Sequence, residues 1–371
     1  MMAAEGPFLA SVIARLDSPK YNLAAYGIAF YFAVFIEAPI IMIMSASTAL
    51  VKDKGSFIKL RNFTYVLNGL ITLIMVILIL PPLFRWITLD VIRLPSEVSR
   101  LTHDACLILL PWPAAIGYRR FYQGILIRSN LTRRVAYGTV IRLSVMASTA
   151  FLCYRFSGWE GAIVGSLALS CGVSAEAFAS RVMARQAVDR LRSDSHSHTE
   201  ASPLSYGEIT KFYYPLALTS MLGLGVHPLV TFFMGHSRMA IESLAVMPVI
   251  NSLVFLFGAL GLSFQEVGIA LMGNRNEHYR PLRNFAFLLG IAVTGGLFLV
   301  AFTPFSAVWF RGISGLSSDL YQFALAPTRI RILIPALTVL LSLQRAMLVN
   351  SRVTRPITGA TLIEVAGIVS I

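Results

Sequence analysis

The chain has 371 residues, 56% hydrophobic and 13% charged, with 31 Lys+Arg against 18 Asp+Glu and a formal charge of +13. Soluble domains average about 25% charged residues, so a chain this apolar cannot cover a water-facing surface. A soluble enzyme, a disordered chain and a disulfide scaffold are thereby excluded. The basic excess is spread between apolar runs, which points to loops flanking membrane spans and not to nucleic acid.

A helix needs about 20 apolar residues to cross the hydrocarbon core. Ten segments reach or approach that length: Leu23–Leu50, Phe63–Trp86, Ala105–Ile127, Val135–Tyr154, Trp159–Met183, Ile209–Met234, Ile241–Met272, Phe285–Trp309, Phe323–Val349 and Ile357–Ile371. None alternates with period two, so helices are expected and barrel strands are not. Cys106, Cys153 and Cys171 lie in these apolar runs without CxxC spacing and read as packing residues.

Loops on one side carry 17 basic residues, among them Lys52, Arg128, Arg185, Arg283 and Arg352, against 8 on the other, such as Arg15, Arg85 and Arg238. The richer side is expected to be cytoplasmic, in an inner or plasma membrane, which places Met1 outside. The polar stretch Arg185–Glu208 between the fifth and sixth segments has linker composition. The expected division is therefore an N-terminal lobe 1–184, a cytoplasmic linker 185–208 and a C-terminal lobe 209–371. His196 and His198, at i and i+2 in that linker, are spaced poorly for a metal, and a plain tether is favoured. Asn62-Phe-Thr64 and Asn130-Leu-Thr132 match the glycosylation pattern but fall on the cytoplasmic side and are discounted.

The chain matches itself at an offset of 222. Leu60-Arg-Asn-Phe63 reads against Leu282-Arg-Asn-Phe285, and Pro113-Ala114 against Pro335-Ala336. In the same register Leu126, Ser129, Thr132 and Arg133 meet Leu348, Ser351, Thr354 and Arg355. An even number of spans per copy is required, which suggests a six-plus-six scheme with parallel repeats and a site near mid-bilayer. Met1 then aligns with Gly223 and Ile371 with Thr149. The expectation is an incomplete first helix (a stub around Pro7–Ile13), an eleventh cut short and a twelfth absent.

Lys211-Phe-Tyr-Tyr-Pro215-Leu-Ala-Leu and Pro111-Trp-Pro113 leading to Phe121-Tyr-Gln-Gly124-Ile-Leu-Ile-Arg128 resemble the MATE-like transporters of the multidrug/oligosaccharidyl-lipid/polysaccharide exporter superfamily. Tyr214-Pro215-Leu-Ala-Leu218, His227-Pro228-Leu-Val and Gly261-Leu-Ser-Phe-Gln-Glu-Val-Gly-Ile-Ala270 look most similar to its progressive ankylosis branch. The resemblance implies an all-α polytopic protein of two lobes and, for that branch, export of anions such as pyrophosphate, citrate or nucleotides. The superfamily's drug exporters use an acidic ion-coupling site on the first helix, most of which is expected to be missing from this chain.

Ionisable groups inside the bilayer cost at least about 2.5–3.5 kcal/mol each, so each needs a role. The basic set is Arg119, Arg120, Arg142, Arg329, Arg331 and Arg345; the acidic set is Glu37, Glu176, Glu266 and Glu364. Adjacent Arg119 and Arg120 point about 100° apart, so only one can face a cavity squarely. Arg329 and Arg331 sit between Pro327 and Pro335, where a broken helix is tolerated if it lines a cavity. Arg119, Arg120, Arg142, Arg329 and Arg331 are the substrate-binding candidates, against structural salt bridges or lipid-phosphate contacts. Glu37, Glu266 and Glu364 are the ion-coupling candidates, against structural hydrogen bonds. Arg142 and Glu364 share a position in the two repeats and could pair across the lobes, although pairing within a lobe is favoured. For His227 packing is favoured over proton relay.

The expected function is a secondary transporter or flippase working by alternating access on an anionic small molecule or phosphate-bearing lipid. Its partners are the bilayer and that substrate, with no nucleic acid, and a monomer is expected. No cofactor is needed beyond a coupling ion, H⁺ or Na⁺. The alternatives are a Na⁺- or H⁺-coupled exporter of cationic drugs, an inactive fragment, and a membrane-embedded transferase. The last is disfavoured by the lack of HExxH, GxSxG or a phosphate loop.

Overall fold

The computed structural model describes residues 4–193, 204–272 and 277–350, with residues 359, 360, 363, 366 and 367 beyond them. Among these there is no strand. The first half runs α1 (Glu5–Ile13), α2 (Pro19–Glu37), a 3₁₀ turn Ala38–Ile40, α3 (Ile43–Leu50), α4 (Lys54–Ile79), α5 (Pro81–Arg85), a π-helical turn Trp86–Val91, α6 (Ser96–Ile108), α7 (Trp112–Arg128), α8 (Thr132–Phe156) and α9 (Gly161–Met183). Then follow α10 (Arg185–Ser193), α11 (Tyr206–Gly235), α12 (Ala240–Leu271), α13 (Tyr279–Phe302), α14 (Phe305–Ala307), a π-helical turn Val308–Ile313, α15 (Ser318–Ile330) and α16 (Ile334–Asn350). Among the described residues eight stretches are long and apolar enough to cross a membrane, so the chain is an all-α polytopic membrane protein.

Helix boundaries follow local chemistry. At the start of α4 the Ser56 backbone N–H donates to Asp53 Oδ1 at 2.8 Å while the Asp53 N–H donates to Ser56 Oγ at 3.0 Å. Ser205 and Glu208 cap α11 in the same reciprocal way. Two boundaries depart from the sequence reading. The third expected span is broken at 109–111, before Trp112-Pro113, because proline cannot continue the preceding hydrogen-bond ladder. The polar stretch read as linker opens with α10, whose Ala187 and Val188 are buried under a surface of alternating charge. Ile357–Ile371, the tenth expected span, lies for the most part outside the described residues.

The offset of 222 recurs in the backbone. Shifted by it, α6 becomes Ser318–Ile330, α7 becomes Ile334–Asn350 and the first π-helical turn becomes Val308–Ile313, each matching an observed element. Each turn closes identically: Ile92 N–H donates to Ile87 O at 2.9 Å and Leu94 N–H to Thr88 O at 2.8 Å. Their counterparts are Ser314 to Trp309 at 2.7 Å and Leu316 to Phe310 at 2.8 Å. Lys20 Nζ meets its own counterpart position, Glu242 Oε1, at 2.5 Å.

One position of this turn is left-handed in both copies, Arg93 at φ 62° and Gly315 at φ 69°. An L side chain there costs about 1–2 kcal/mol, which glycine escapes. Arg93→Gly is therefore expected to raise stability by about 1 kcal/mol. Gly315→Ala is expected to lower it by at least as much, since the new Cβ would also meet Arg15 Cγ at 3.1 Å. Thermal unfolding in detergent reads both, and a loss for Arg93→Gly would contradict the account.

Two compact units form, one of Ala25–Ser237 and one of Met1–Ala24 with Arg238–Ile371. This grouping differs from a division at the linker. In the first unit α11 packs on the Ala38–Ile40 turn, α3 and α4; in the second α1 packs on α12, with Gly6 seated against Ser252. The core of the second unit joins α12, α13 and α16 through Phe264, Leu282, Val293, Val339 and Leu343.

Candidate functional site

Within the unit Ala25–Ser237 the intramembrane charges converge. On α7, Arg119 and Gln123 are four residues apart and share a face. Helix α8 contributes Arg142 and α9 contributes Glu176. Glycines bring these helices close, as small residues do where apolar lipid offers no other drive to pack. A Cβ on Gly172 would meet the Arg142 carbonyl oxygen and Met146 Cβ, both at 3.0 Å, and one on Gly117 would meet Ile40 Cγ1 at 2.5 Å. Asn68 Nδ2 donates to the Ala114 carbonyl at 3.1 Å, tying α4 to α7.

Glu176 is the hub. Its carboxylate accepts from Arg119 Nη1 and, at 3.0 Å, from Gln123 Nε2, while Arg142 Nη1 lies 3.7 Å away. Arg119 is 2% exposed and Glu176 1%, so this ion pair is shielded from solvent and lipid alike. Glu37, also buried, ends α2 within electrostatic range of Arg120, Arg119 and Arg142. Its Oε2 has no hydrogen-bond partner among the described residues. Half-buried Arg120 is not among the donors to Glu176: its Nη1 is 3.9 Å from Met44 Sδ and its Nε makes no hydrogen bond among the described residues. Three arginines thus face two carboxylates, leaving one positive charge in excess where the dielectric is low and charge acts strongly.

The remaining candidates fall elsewhere. Arg329 and Arg331 belong to the other unit. Arg329 is exposed; its Nε donates to the Ala301 carbonyl at 3.2 Å and its guanidinium lies 5.1 Å from the centre of the Phe302 ring. Arg331 donates to Asn251 Oδ1 and approaches Met247 Sδ at 3.5 Å. Glu266 is on α12 with its side chain outside the described residues, and Glu364 lies outside them entirely. His227 stacks on Tyr31, with ring centres 4.8 Å apart. The sequence reading named Glu176 among the intramembrane acids but gave it no role, and it passed over Gln123 and Asn251. The Arg119/Gln123 spacing of four was the available signal for an acceptor opposite that face.

A duplicated helical bundle with charges buried between its helices defines a polytopic membrane protein. A solved structure described as the inward-facing conformation of a multidrug resistance MATE family transporter of the MOP superfamily is similar to this chain. Its TM-score is 0.75 at 15% sequence identity, over 98% of this chain and 83% of that one. The fold is thus the one the MATE-like resemblance implies. That neighbour does not bear on the progressive ankylosis branch. No family model matches the chain, and no curated protein matches it.

Proposed function

We propose that the protein is a secondary transporter that moves an anionic small molecule or phosphate-bearing substrate by alternating access. The carrying observation is the cluster of Arg119, Arg120 and Arg142 against Glu37 and Glu176, with its single excess positive charge. Arg119 and Arg142 are engaged by Glu176, so their role is to shape the site. Arg120, with no salt bridge to a carboxylate among the described residues, is the group left to receive an anion. Glu37 is the group proposed to exchange a coupling ion, H⁺ or Na⁺, because one carboxylate oxygen has no hydrogen bond among the described residues. Neutralising Glu37 would raise the local positive charge, coupling ion uptake to anion affinity by linkage.

Reconstituted vesicles loaded with pyrophosphate or citrate test this reading. Arg120→Gln is expected to lower efflux at least tenfold while the protein stays monodisperse, the size of one lost charge-assisted contact. Glu37→Gln is expected to retain anion binding and lose the dependence on an ion gradient. Efflux by Arg120→Gln at the unmodified rate would overturn the anion reading, as would binding of cationic dyes with indifference to both anions.

A further inference from the structure

An apolar groove of about 620 Å³ runs between α13 and α16, with Arg283 at one end and Phe298 at the other. Its wall includes Gly290, Gly295, Leu337 and Leu340, and its floor shares Ala286, Val339 and Leu343 with the core of the unit. The repeat shows what is unusual about it. In the first copy the corresponding surface between α4 and α7 carries a cluster of tyrosine rings: Tyr65 stacks on Tyr118 with ring centres 6.2 Å apart, and Tyr118 lies tilted against Tyr122 at 4.9 Å. Asn68 bridges to Ala114 there. In the second copy Phe287 and Leu340 replace Tyr65 and Tyr118, Gly290 replaces Asn68 and Gly295 replaces Leu73. The opening is made by these replacements.

The basic end differs as well. Arg61, the counterpart of Arg283, lies over the rings of Phe57 and Tyr65 at 5.8 and 5.9 Å. Arg283 is exposed and has no ion pair or ring contact among the described residues. The fifteen residue steps from Arg283 to Phe298 rise about 22 Å along α13. That exceeds the roughly 15 Å of hydrocarbon in one leaflet. The helix surface beside the groove is lipid-like too, with Phe287, Leu288 and Ile291 more than half exposed.

We infer that the groove binds one phospholipid, its acyl chain lying between α13 and α16 and its phosphate paired with Arg283. The charge identifies the occupant. A cation at the mouth of a slot otherwise almost wholly apolar matches a phosphodiester joined to a hydrocarbon chain, and a free anion would leave the slot empty. This site is separate from the buried arginine cluster and stands or falls independently of transport.

The test uses the full chain in phosphatidylcholine vesicles containing a phosphatidylcholine with a photoactivatable group in one acyl chain. After photolysis, peptide mapping is expected to place adducts on residues 286–298 and 333–343, at several times the yield on the matching faces of α4 and α7. Gly290→Leu with Gly295→Leu should cut that yield severalfold. Both positions have room, since a Cβ at Gly290 meets only Ala336, no closer than 3.8 Å, and one at Gly295 meets nothing within 4 Å. Arg283→Gln should raise the lipid concentration for half-maximal labelling about fivefold. Equal labelling of both repeats, or no labelling of the groove, would overturn the proposal. Mapping of the unmodified chain decides between these outcomes even if a variant fails to fold.

Discussion

Glu176→Ala is expected to cost about 3–5 kcal/mol of stability, or to prevent recovery of folded protein, because it strands two buried arginines beside each other. The carboxylate holds Arg119 and Gln123 directly and lies 3.7 Å from Arg142, with all four side chains nearly inaccessible. Without it the like charges of Arg119 and Arg142 repel in a low dielectric, and the amide of Gln123 loses its acceptor. Replacing Arg119, Arg142 and Glu176 together by methionine removes the charges and the partner at once and is expected to recover most of the loss. An apolar set of similar volume often matches or betters a buried ion pair. Arg100 supplies the contrast. Its bond to Glu160 at 2.7 Å is solvent-exposed, with side chains 55% and 40% accessible. Arg100→Ala should therefore cost less than about 1 kcal/mol. Thermal unfolding in detergent, read by loss of the monodisperse species, measures all three. A Glu176→Ala protein as stable as Arg100→Ala would mean that the cluster contributes nothing to folding.

The different fates of the sequence expectations have physical reasons. The offset of 222 was legible because polar residues repeat as well as apolar ones: Leu60-Arg-Asn-Phe63 and its copy both lie in the first half of their helices, and the π-helical turns follow. Hydropathy located the spans but could not see the break at 109–111, since the residues on either side remain apolar. Reading Arg119 and Arg120 as pointing apart needed only helix geometry, and the structure sends one to Glu176 and the other past Met44. Glu176 itself was not legible as the hub. Helix α9 is lined with Gly, Ala and Ser on most sides, so no apolar stripe marks which face turns inward. Its partners lie 34 to 57 positions away on two other helices. The sequence also could not sort Arg329 and Arg331 away from the other arginines. Proline suggests an interrupted helix at depth, but the partners that engage these side chains, Ala301 and Asn251, come from α13 and α12. Arg142 was weighed against Glu364 and found beside Glu176, within its own unit.

Gly124→Val is expected to be severely damaging, because it acts on the backbone spacing that aims the charged groups. A Cβ at this position would overlap the Ser47 side chain and approach the Met44 carbonyl oxygen to 2.5 Å. A side chain can swing away; a helix carbonyl cannot, so α3 and α7 must separate. That separation would break the bond from Thr48 Oγ1 to the Gly124 carbonyl at 3.2 Å and move the Arg120–Met44 contact one turn away. Overpacking of this kind costs about 1–3 kcal/mol even where side chains alone must yield, and the upper end applies here. Gly69 is the matched control. It lies within α4, where an added Cβ meets nothing within 4 Å, so Gly69→Val should change stability by less than about 1 kcal/mol. The two variants add the same side chain, so their difference isolates the close crossing from any helix propensity effect. A milder Gly124→Ala protein that still folds is the sharper probe of function. If the α3–α7 spacing positions Arg120, its anion efflux in vesicles should fall more than its melting temperature predicts. If spacing matters only for packing, efflux should track the folded fraction and nothing more.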